Sequence, residues 1–339
     1  MKNSCGFAIV GSGAIAQTHA EAIAFLEGAH LVGVYGSVAA QAEEFASKYN
    51  CKCYETPEAM LADTDVDIVS ICTPSGLHEQ YAVMAANAKK HVVTEKPMAI
   101  TGEQLDRMIE SVERNGVKCA VIVQKRFSEA VTKVKNAIDQ GLLGKIHCAD
   151  CIIRYYRTEA YYAQGGWRGT WALDGGGALM NQGIHGVDLV QYLMGGVRSV
   201  YAYCRTVSRP IETEDHAYIL AQYRNGAMGV IHSSTVCWPG QPCTITICGE
   251  KGSVTLQEDT VIAWDVEGVS FALDKTTSVG AFRNVMDFPI ENHVAQLQDL
   301  VDAIRADKKP VVDVYEGRKA VDIILAAYAS SRTGKEILL

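Results

Sequence analysis

Three short segments in a fixed order carry the residue types that can do chemistry. They are Gly11-Ser12-Gly13-Ala14-Ile15-Ala16, Glu95-Lys96-Pro97 and Asn181-Gln182-Gly183-Ile184-His185. The first has the spacing of a turn that cradles a dinucleotide pyrophosphate. Its first glycine allows the tight turn, its second lets the backbone approach the phosphates, and the small third residue lets helix and strand pack closely. A lysine at a strand end can hold a substrate oxygen and stabilise a developing alkoxide. A histidine can take up a proton near neutral pH. Each segment alone is a weak signal. Together they describe hydride transfer between a nicotinamide nucleotide and an alcohol or ketone.

The residues around these segments refine the reading. Gly11, Gly13, Ala14 and Ile15 form the pyrophosphate turn. The stretch Val34-Tyr35-Gly36-Ser37 ends the second strand, where NAD sites usually place an acid for the ribose hydroxyl. No acid is present. Gly36 and Ser37 leave room for a 2′-phosphate and offer a hydroxyl donor, so the cofactor is NAD(P) with a lean to NADP, although the arginine that often clamps this phosphate is replaced by Val38. Thr73 and Pro74 follow the fourth strand and line the nicotinamide ribose side; His78 lies on the same side and opens the next helix. Glu95 and Lys96 end the fifth strand, facing the ligand.

The substrate side is expected further along. Residues four apart share a helical face, which sets Asn181 beside His185. An amide can hold a hydroxyl but cannot act as a base. Asp188 either orients the His185 ring or is an ordinary helix carboxylate; both readings stand. Before this helix, Arg154-Tyr155-Tyr156-Arg157 and Gly166-Trp167-Arg168-Gly169 concentrate arginines and aromatics in an acidic chain. Aromatic faces stack on sugar rings, and arginine forks hold carboxylate or phosphate. Tyr156, Trp167 and Arg168 are therefore candidates for an anionic, sugar-like substrate, against the alternative of arginines lying over aromatics in loop packing. Arg126 either faces the substrate or pairs across the domain junction, and His293 is expected to cap or pack. The pair Cys148-x-x-Cys151 lacks a second ligand pair at zinc spacing, so no metal is expected.

The elements that must position these residues are legible as two patterns. Through residue 123, buried runs at 7–10, 31–35, 67–72, 91–94 and 118–123 alternate with helical stretches at 14–26, 39–49, 78–88 and 103–115. That alternation predicts a doubly wound parallel sheet, a Rossmann domain over 1–123. Longer alternating stretches follow at 146–156, 200–206, 216–223, 229–236 and 244–248, with helical patterns at 127–140, 292–305 and 316–331. They predict an α+β substrate-binding and oligomerisation domain over 124–339, built on a large, mostly antiparallel open sheet. The 339 residues are 48% hydrophobic and 21% charged, ordinary for a globular chain of two domains. A net charge of −8 argues against a nucleic-acid partner, which would need a basic face. No apolar run approaches the ~20 residues of a membrane span, and no signal-peptide pattern opens the chain. With 11 cysteines, mostly in apolar runs, the expected setting is cytoplasmic with reduced thiols.

As a set, Gly11-x-Gly13-x-x-Ala16, Thr73-Pro74-x-x-x-His78, Glu95-Lys96-Pro97 and Gly175-Gly176-Gly177…His185-x-x-Asp188 resemble the glucose–fructose oxidoreductase, inositol dehydrogenase and MocA (GFO/IDH/MocA) family. The resemblance covers essentially the whole chain. It implies an NAD(P)-dependent dehydrogenase acting on a secondary alcohol of a sugar, inositol, sugar acid or nucleotide sugar. It also implies a homodimer or homotetramer formed through the open sheet, and Lys96 and His185 as the catalytic pair. One departure stands out: many members carry an aspartate four residues before the histidine, and here that position is Asn181. The variant resembles the subgroup that oxidises nucleotide-activated amino-sugar acids. Two other functions suit the same frame, a glycosidase that recycles its NAD and a non-enzymatic regulator that senses the nucleotide.

Overall fold

The computed structural model describes residues 4–271 and 289–339. The chain divides into two compact units, Met1–Gln124 with Pro289–Arg318, and Lys125–Phe288 with Lys319–Leu339.

The first unit alternates strand and helix: β1 (Cys5–Val10), α1 (Ala14–Ile23), β2 (Ala29–Tyr35), α2 (Ala39–Tyr49), β3 (Lys52–Cys53), α3 (Pro57–Ala62), β4 (Ile68–Ile71), α4 (His78–Asn87), β5 (His91–Thr94), α5 (Gly102–Asn115) and β6 (Cys119–Val121). The six strands pair in parallel in the order β3-β2-β1-β4-β5-β6. The order reverses beside β1, the switch point at which doubly wound sheets bind dinucleotides beyond the strand C-termini. The helix starts are locally encoded. Thr56 and Thr101 accept hydrogen bonds from Ala59 N and Gln104 N, capping α3 and α5.

The second unit contains α6 (Glu129–Asp139), β7 (Ile146–Arg154), α7 (Glu159–Ala163), α8 (Ile184–Leu193), β8 (Val197–Arg205), β9 (His216–Tyr223), β10 (Met228–Ser234), β11 (Thr244–Gly249), β12 (Gly252–Gln257) and β13 (Thr260–Val266). Near the end of the chain come α9 (Glu291–Arg305), α10 (Val314–Thr333) and β14 (Ile337–Leu338). Eight strands form one sheet in the order β13-β12-β11-β7-β10-β9-β8-β14. All neighbours are antiparallel except β10 and β7. The alternation along β9 is strict, with Ala217, Ile219, Ala221 and Tyr223 buried and Tyr218, Leu220 and Gln222 exposed. Helix α8 packs on the buried face across β7, and Gly186 makes that approach possible. A Cβ there would lie 2.7 Å from Ile153 Cδ1 and 2.9 Å from Cys151 Sγ.

The α/β architecture is the one the sequence predicts, with one feature that continuous domain boundaries do not contain. Helix α9 belongs to the first unit, where Leu297, Leu300 and Val301 join Phe7, Ile9 and Ile23 in one buried cluster. Among the described residues no helix is long and apolar enough to cross a membrane. None of the eleven cysteines, all among the described residues, forms a disulfide.

Candidate active site

In the first unit, β1 runs into a turn at Gly11 with φ of +109°, a conformation that L side chains rarely adopt. A Cβ on Gly11 would also stand 2.5 Å from the Cys72 carbonyl oxygen, so β1 and β4 close on each other only because the residue is glycine. Helix α1 starts at Gly13 with no side-chain cap and no acid in its first turn. A Cβ built on Gly13 meets nothing within 4 Å. Uncapped N–H groups, a favourable dipole and open space at the second glycine fit a pyrophosphate. At the end of β2, a Cβ on Gly36 would lie 2.9 Å from Ser12 Oγ, which keeps this corner of the turn tight.

The ends of β4 and β5 are stitched together by His78. Its Nδ1 lies 2.7 Å from the Pro97 carbonyl oxygen and its Nε2 3.0 Å from that of Thr73. Burial lowers the pKa of this imidazole, and the two carbonyls oppose that shift. The sequence reading set His78 with the cofactor residues; its ring holds the Thr73-Pro74 and Lys96-Pro97 segments in place. The Lys96-Pro97 peptide is cis.

Glu95 is buried behind Lys96. One carboxylate oxygen accepts the backbone N–H of Lys96 at 3.0 Å, and the other lies 3.1 Å from His19 Nε2. His19 comes from α1, and its Nδ1 meets Ser70 Oγ at 2.7 Å. Burial alone would lower the pKa of His19, but the adjoining Cys72 and Glu95 raise it to about 10. Burial alone would raise the pKa of Glu95, but His19, His293 and Lys96 hold it at about 2. The pair is therefore imidazolium and carboxylate. His293 of α9 meets the His19 ring edge-on, centroids 5.8 Å apart, and burial with the His19 charge lowers its pKa to about 4. These three side chains bring candidate metal-ligand atoms within 4.8 Å of one another. Both ring nitrogens of His19 are already engaged, by Ser70 and Glu95, so the cluster is accounted for as a buried ion pair with a neutral histidine against it.

In the second unit, His185 is the second residue of α8. The six residues before α8, Ala178–Gly183, form a π-helical turn in which Gln182 N donates to Gly177 O at 3.3 Å. This corrects the expectation that Asn181 and His185 share a regular helical face. The wider turn rotates residues 181 and 182 relative to α8, and π segments of this kind recur at functional sites. Glu214 anchors the turn, accepting from Gly177 N at 3.1 Å, Leu179 N at 2.7 Å and Tyr328 Oη at 2.9 Å. Burial pushes its carboxyl up to about 7 against those donors. Asn181 donates to the buried Asp174. Asp188 engages Arg126 with both oxygens, at 2.7 Å and 2.5 Å, and the Arg126 guanidinium also lies 4.5 Å over the Tyr192 ring. Arg126 and Asp188 are thus committed to each other inside this unit.

The arginine–aromatic segment forms two groups in which arginines lie over aromatic rings, the packing alternative of the sequence reading. Arg168 lies 4.8 Å over Tyr161 and 4.9 Å over Trp167, and donates to Gln164 O. Tyr156 meets Trp238 edge-on at 4.9 Å, with Arg209 5.2 Å over its ring. Trp238 is 77% exposed. Sequence reasoning missed His19, Asp174, Gln182, Arg209, Glu214 and Trp238. Of these, only His19 had a local signal, a histidine on the buried face of the helix that follows the glycine turn.

The comparisons with known proteins agree with this geometry. Residues 5–123 match the model of the oxidoreductase family with an NAD-binding Rossmann fold, and 131–255 match the GFO/IDH/MocA C-terminal domain. The chain belongs to the GFO/IDH/MocA family. It is an NAD-binding oxidoreductase of that family. The WlbA dehydrogenase from Bordetella pertussis, solved in complex with NADH and UDP-GlcNAcA, is 33% identical with a TM-score of 0.89, covering 99% of each chain. Myo-inositol 2-dehydrogenase of Thermotoga maritima is 25% identical over 97% of this chain and 96% of its own. The NAD-dependent scyllo-inositol 2-dehydrogenase of Bacillus subtilis is 27% identical over 100% and 97%.

The His19–Glu95 pair generates a pH signature. A raised imidazole pKa stabilises the fold fully below about 6.5, and the contribution is lost as pH rises through about 10. The depressed Glu95 contributes above about 4.5, and its share is lost as pH falls through about 2. His19→Gln keeps a donor but removes the charge, so stability at pH 6 should fall by about 3–5 kcal/mol. Denaturant unfolding at pH 6 and pH 9 should show a smaller difference between the two pH values in the variant than in the parent. An equal drop in both proteins would show that His19 is not the group that titrates.

Proposed function

We propose that this chain transfers a hydride between a nicotinamide nucleotide and a secondary hydroxyl of a sugar acid carried on a nucleotide. The observation that carries the reading is the 33% identity, over 99% of both chains, to a dehydrogenase solved with NADH and UDP-GlcNAcA. It is supported by the concentration of arginines and aromatics at 154–171 in an acidic chain, from which Arg168, Tyr156 and Trp167 would contact an anionic sugar once the arginines that lie over these rings turn to it.

Gly11, Gly13, Ala14 and Ile15 would hold the pyrophosphate; Gly36 and Ser37 the adenosine ribose; Thr73, Pro74, His78 and Glu95 the strand ends beside the nicotinamide ribose. When bound, the nicotinamide supplies the hydride acceptor or donor. Lys96 holds the substrate oxygen and stabilises negative charge on it. His185 takes the hydroxyl proton during oxidation, and Asn181 positions the ring. An amide at 181 leaves His185 as the base. We further propose a cytoplasmic enzyme that forms a homodimer or homotetramer through the exposed sheet face bearing Tyr203, Tyr218, Leu220 and Met228.

With UDP-GlcNAcA as substrate, His185→Ala should lower kcat by at least about 100-fold while the dissociation constant of the nucleotide stays within about threefold. Equal losses in turnover and nucleotide binding would count against the assigned role. The absence of an acid at the end of β2 predicts tighter binding of NADPH than of NADH in a fluorescence titration; tighter NADH binding would sink that preference.

A further inference from the structure

Four side chains of the second unit are joined head to tail. Arg157 Nε donates to Gln182 Oε1 at 2.9 Å, Gln182 Nε2 donates to Asn181 Oδ1 at 2.8 Å, and Asn181 Nδ2 donates to Asp174 Oδ1 at 2.5 Å. The two ends are chemically one-way, because a guanidinium only donates and a carboxylate only accepts. Each amide therefore has a single orientation that makes all three bonds. Flipping Asn181 sets its oxygen against Asp174 and its N–H groups against those of Gln182. The ends are fixed in turn. Asp174 is 1% exposed and its second oxygen accepts Gly169 N at 2.8 Å. Arg157 is 6% exposed and lies over the rings of Tyr155 and Tyr161. Gln182 Nε2 also reaches Tyr161 Oη at 2.7 Å. Both amides stand in the π-helical turn that runs directly into α8 and His185.

We propose that Asp174 and Arg157 are positioning residues, which through this one-way relay fix the Asn181 amide, and that Asp174 makes a carboxylate at position 181 incompatible with this chain. The inference deepens the functional reading above and rests on it for the role of Asn181. It explains the departure from the family's D-x-x-x-H pattern. In this chain the carboxylate sits seven residues earlier, at Asp174, and the helix position carries the amide that satisfies it. An aspartate at 181 would set two carboxylates at hydrogen-bond distance with no proton between them, so that one must protonate or move away.

The relay makes a charge-swap prediction. In Asn181→Asp the two carboxylates face each other. In Asp174→Asn two NH₂ groups meet, and turning Asn181 to avoid that breaks its bond to Gln182. The double variant, Asp174→Asn with Asn181→Asp, exchanges the two groups. The amide now at position 174 accepts Gly169 N with its oxygen and donates to the carboxylate now at position 181. That carboxylate still accepts from Gln182, so every bond is restored.

Turnover of UDP-GlcNAcA and thermal melting are measured for the parent, both single variants and the swap. Each single change should lower kcat by at least about tenfold and the melting temperature by about 3 °C or more, with nucleotide affinity unchanged. The swap should return kcat to within about threefold of the parent and recover the melting temperature. Single variants that match the parent in both readouts would overturn the relay. So would a swap that melts no higher than the worse single variant. A swap that regains the melting temperature without kcat would overturn the positioning role. If the parent turns over no nucleotide-linked sugar acid, the functional reading fails, and the melting series decides the relay by itself.

Discussion

One buried ion pair holds the chemistry-bearing end of the first unit together. His19 rides on the helix that begins at the glycine turn, and Glu95 sits immediately before Lys96. The pair ties α1, which follows the glycine turn, to the strand end that presents the lysine, with both side chains buried. Breaking such a pair leaves a stranded charge, a cost of about 3–5 kcal/mol, so the two elements are held in one register. The same pair explains why α9 returns to this unit: His293 closes the site behind His19, and the apolar face of α9 completes the core beneath it.

The second unit solves a similar problem with hydrogen bonds in place of an ion pair. The glycine run before α8 carries little side-chain information, and the backbone there departs from α geometry. Glu214 compensates by accepting two backbone N–H groups of the turn, and Tyr328 of α10 secures the carboxylate. A helix held in this way can expose polar side chains on a wide π turn without fraying. Asp188, which lies deeper on α8, belongs to the scaffold through Arg126. His185 therefore sits between two separately buttressed segments, the turn before it and the helix after it.

What could be read from the residues was what local spacing encodes. Gly11, Gly13 and Ala16 announce strand, turn and helix because the geometry needs small residues at those positions, and Glu95-Lys96-Pro97 marks a strand end. Period-two alternation disclosed β7 to β11. The two-residue strands β3 and β14 were missed, since so short a strand leaves no period; β12 and β13, of six and seven residues, were missed as well. What stayed hidden were contacts formed by the tertiary fold. His19 and Glu95 are 76 residues apart, and Arg157 and Gln182 are 25 apart. Even Asn181 and Asp174, separated by seven, meet across the glycine run and a π turn that no local pattern announces. Arg126 was open between two readings because composition does not say which carboxylate a buried guanidinium finds.

The central claim is direct hydride transfer from a sugar-acid carbinol carbon to the nicotinamide. The measurement that tests it most directly is isotope transfer. UDP-GlcNAcA deuterated at its ring carbinol carbons is incubated with the protein and oxidised nucleotide, and the nucleotide is recovered for mass spectrometry. Deuterium in the reduced nucleotide, with none lost to water, is the predicted result. Bound nucleotide and bound sugar with no label transferred would contradict the account.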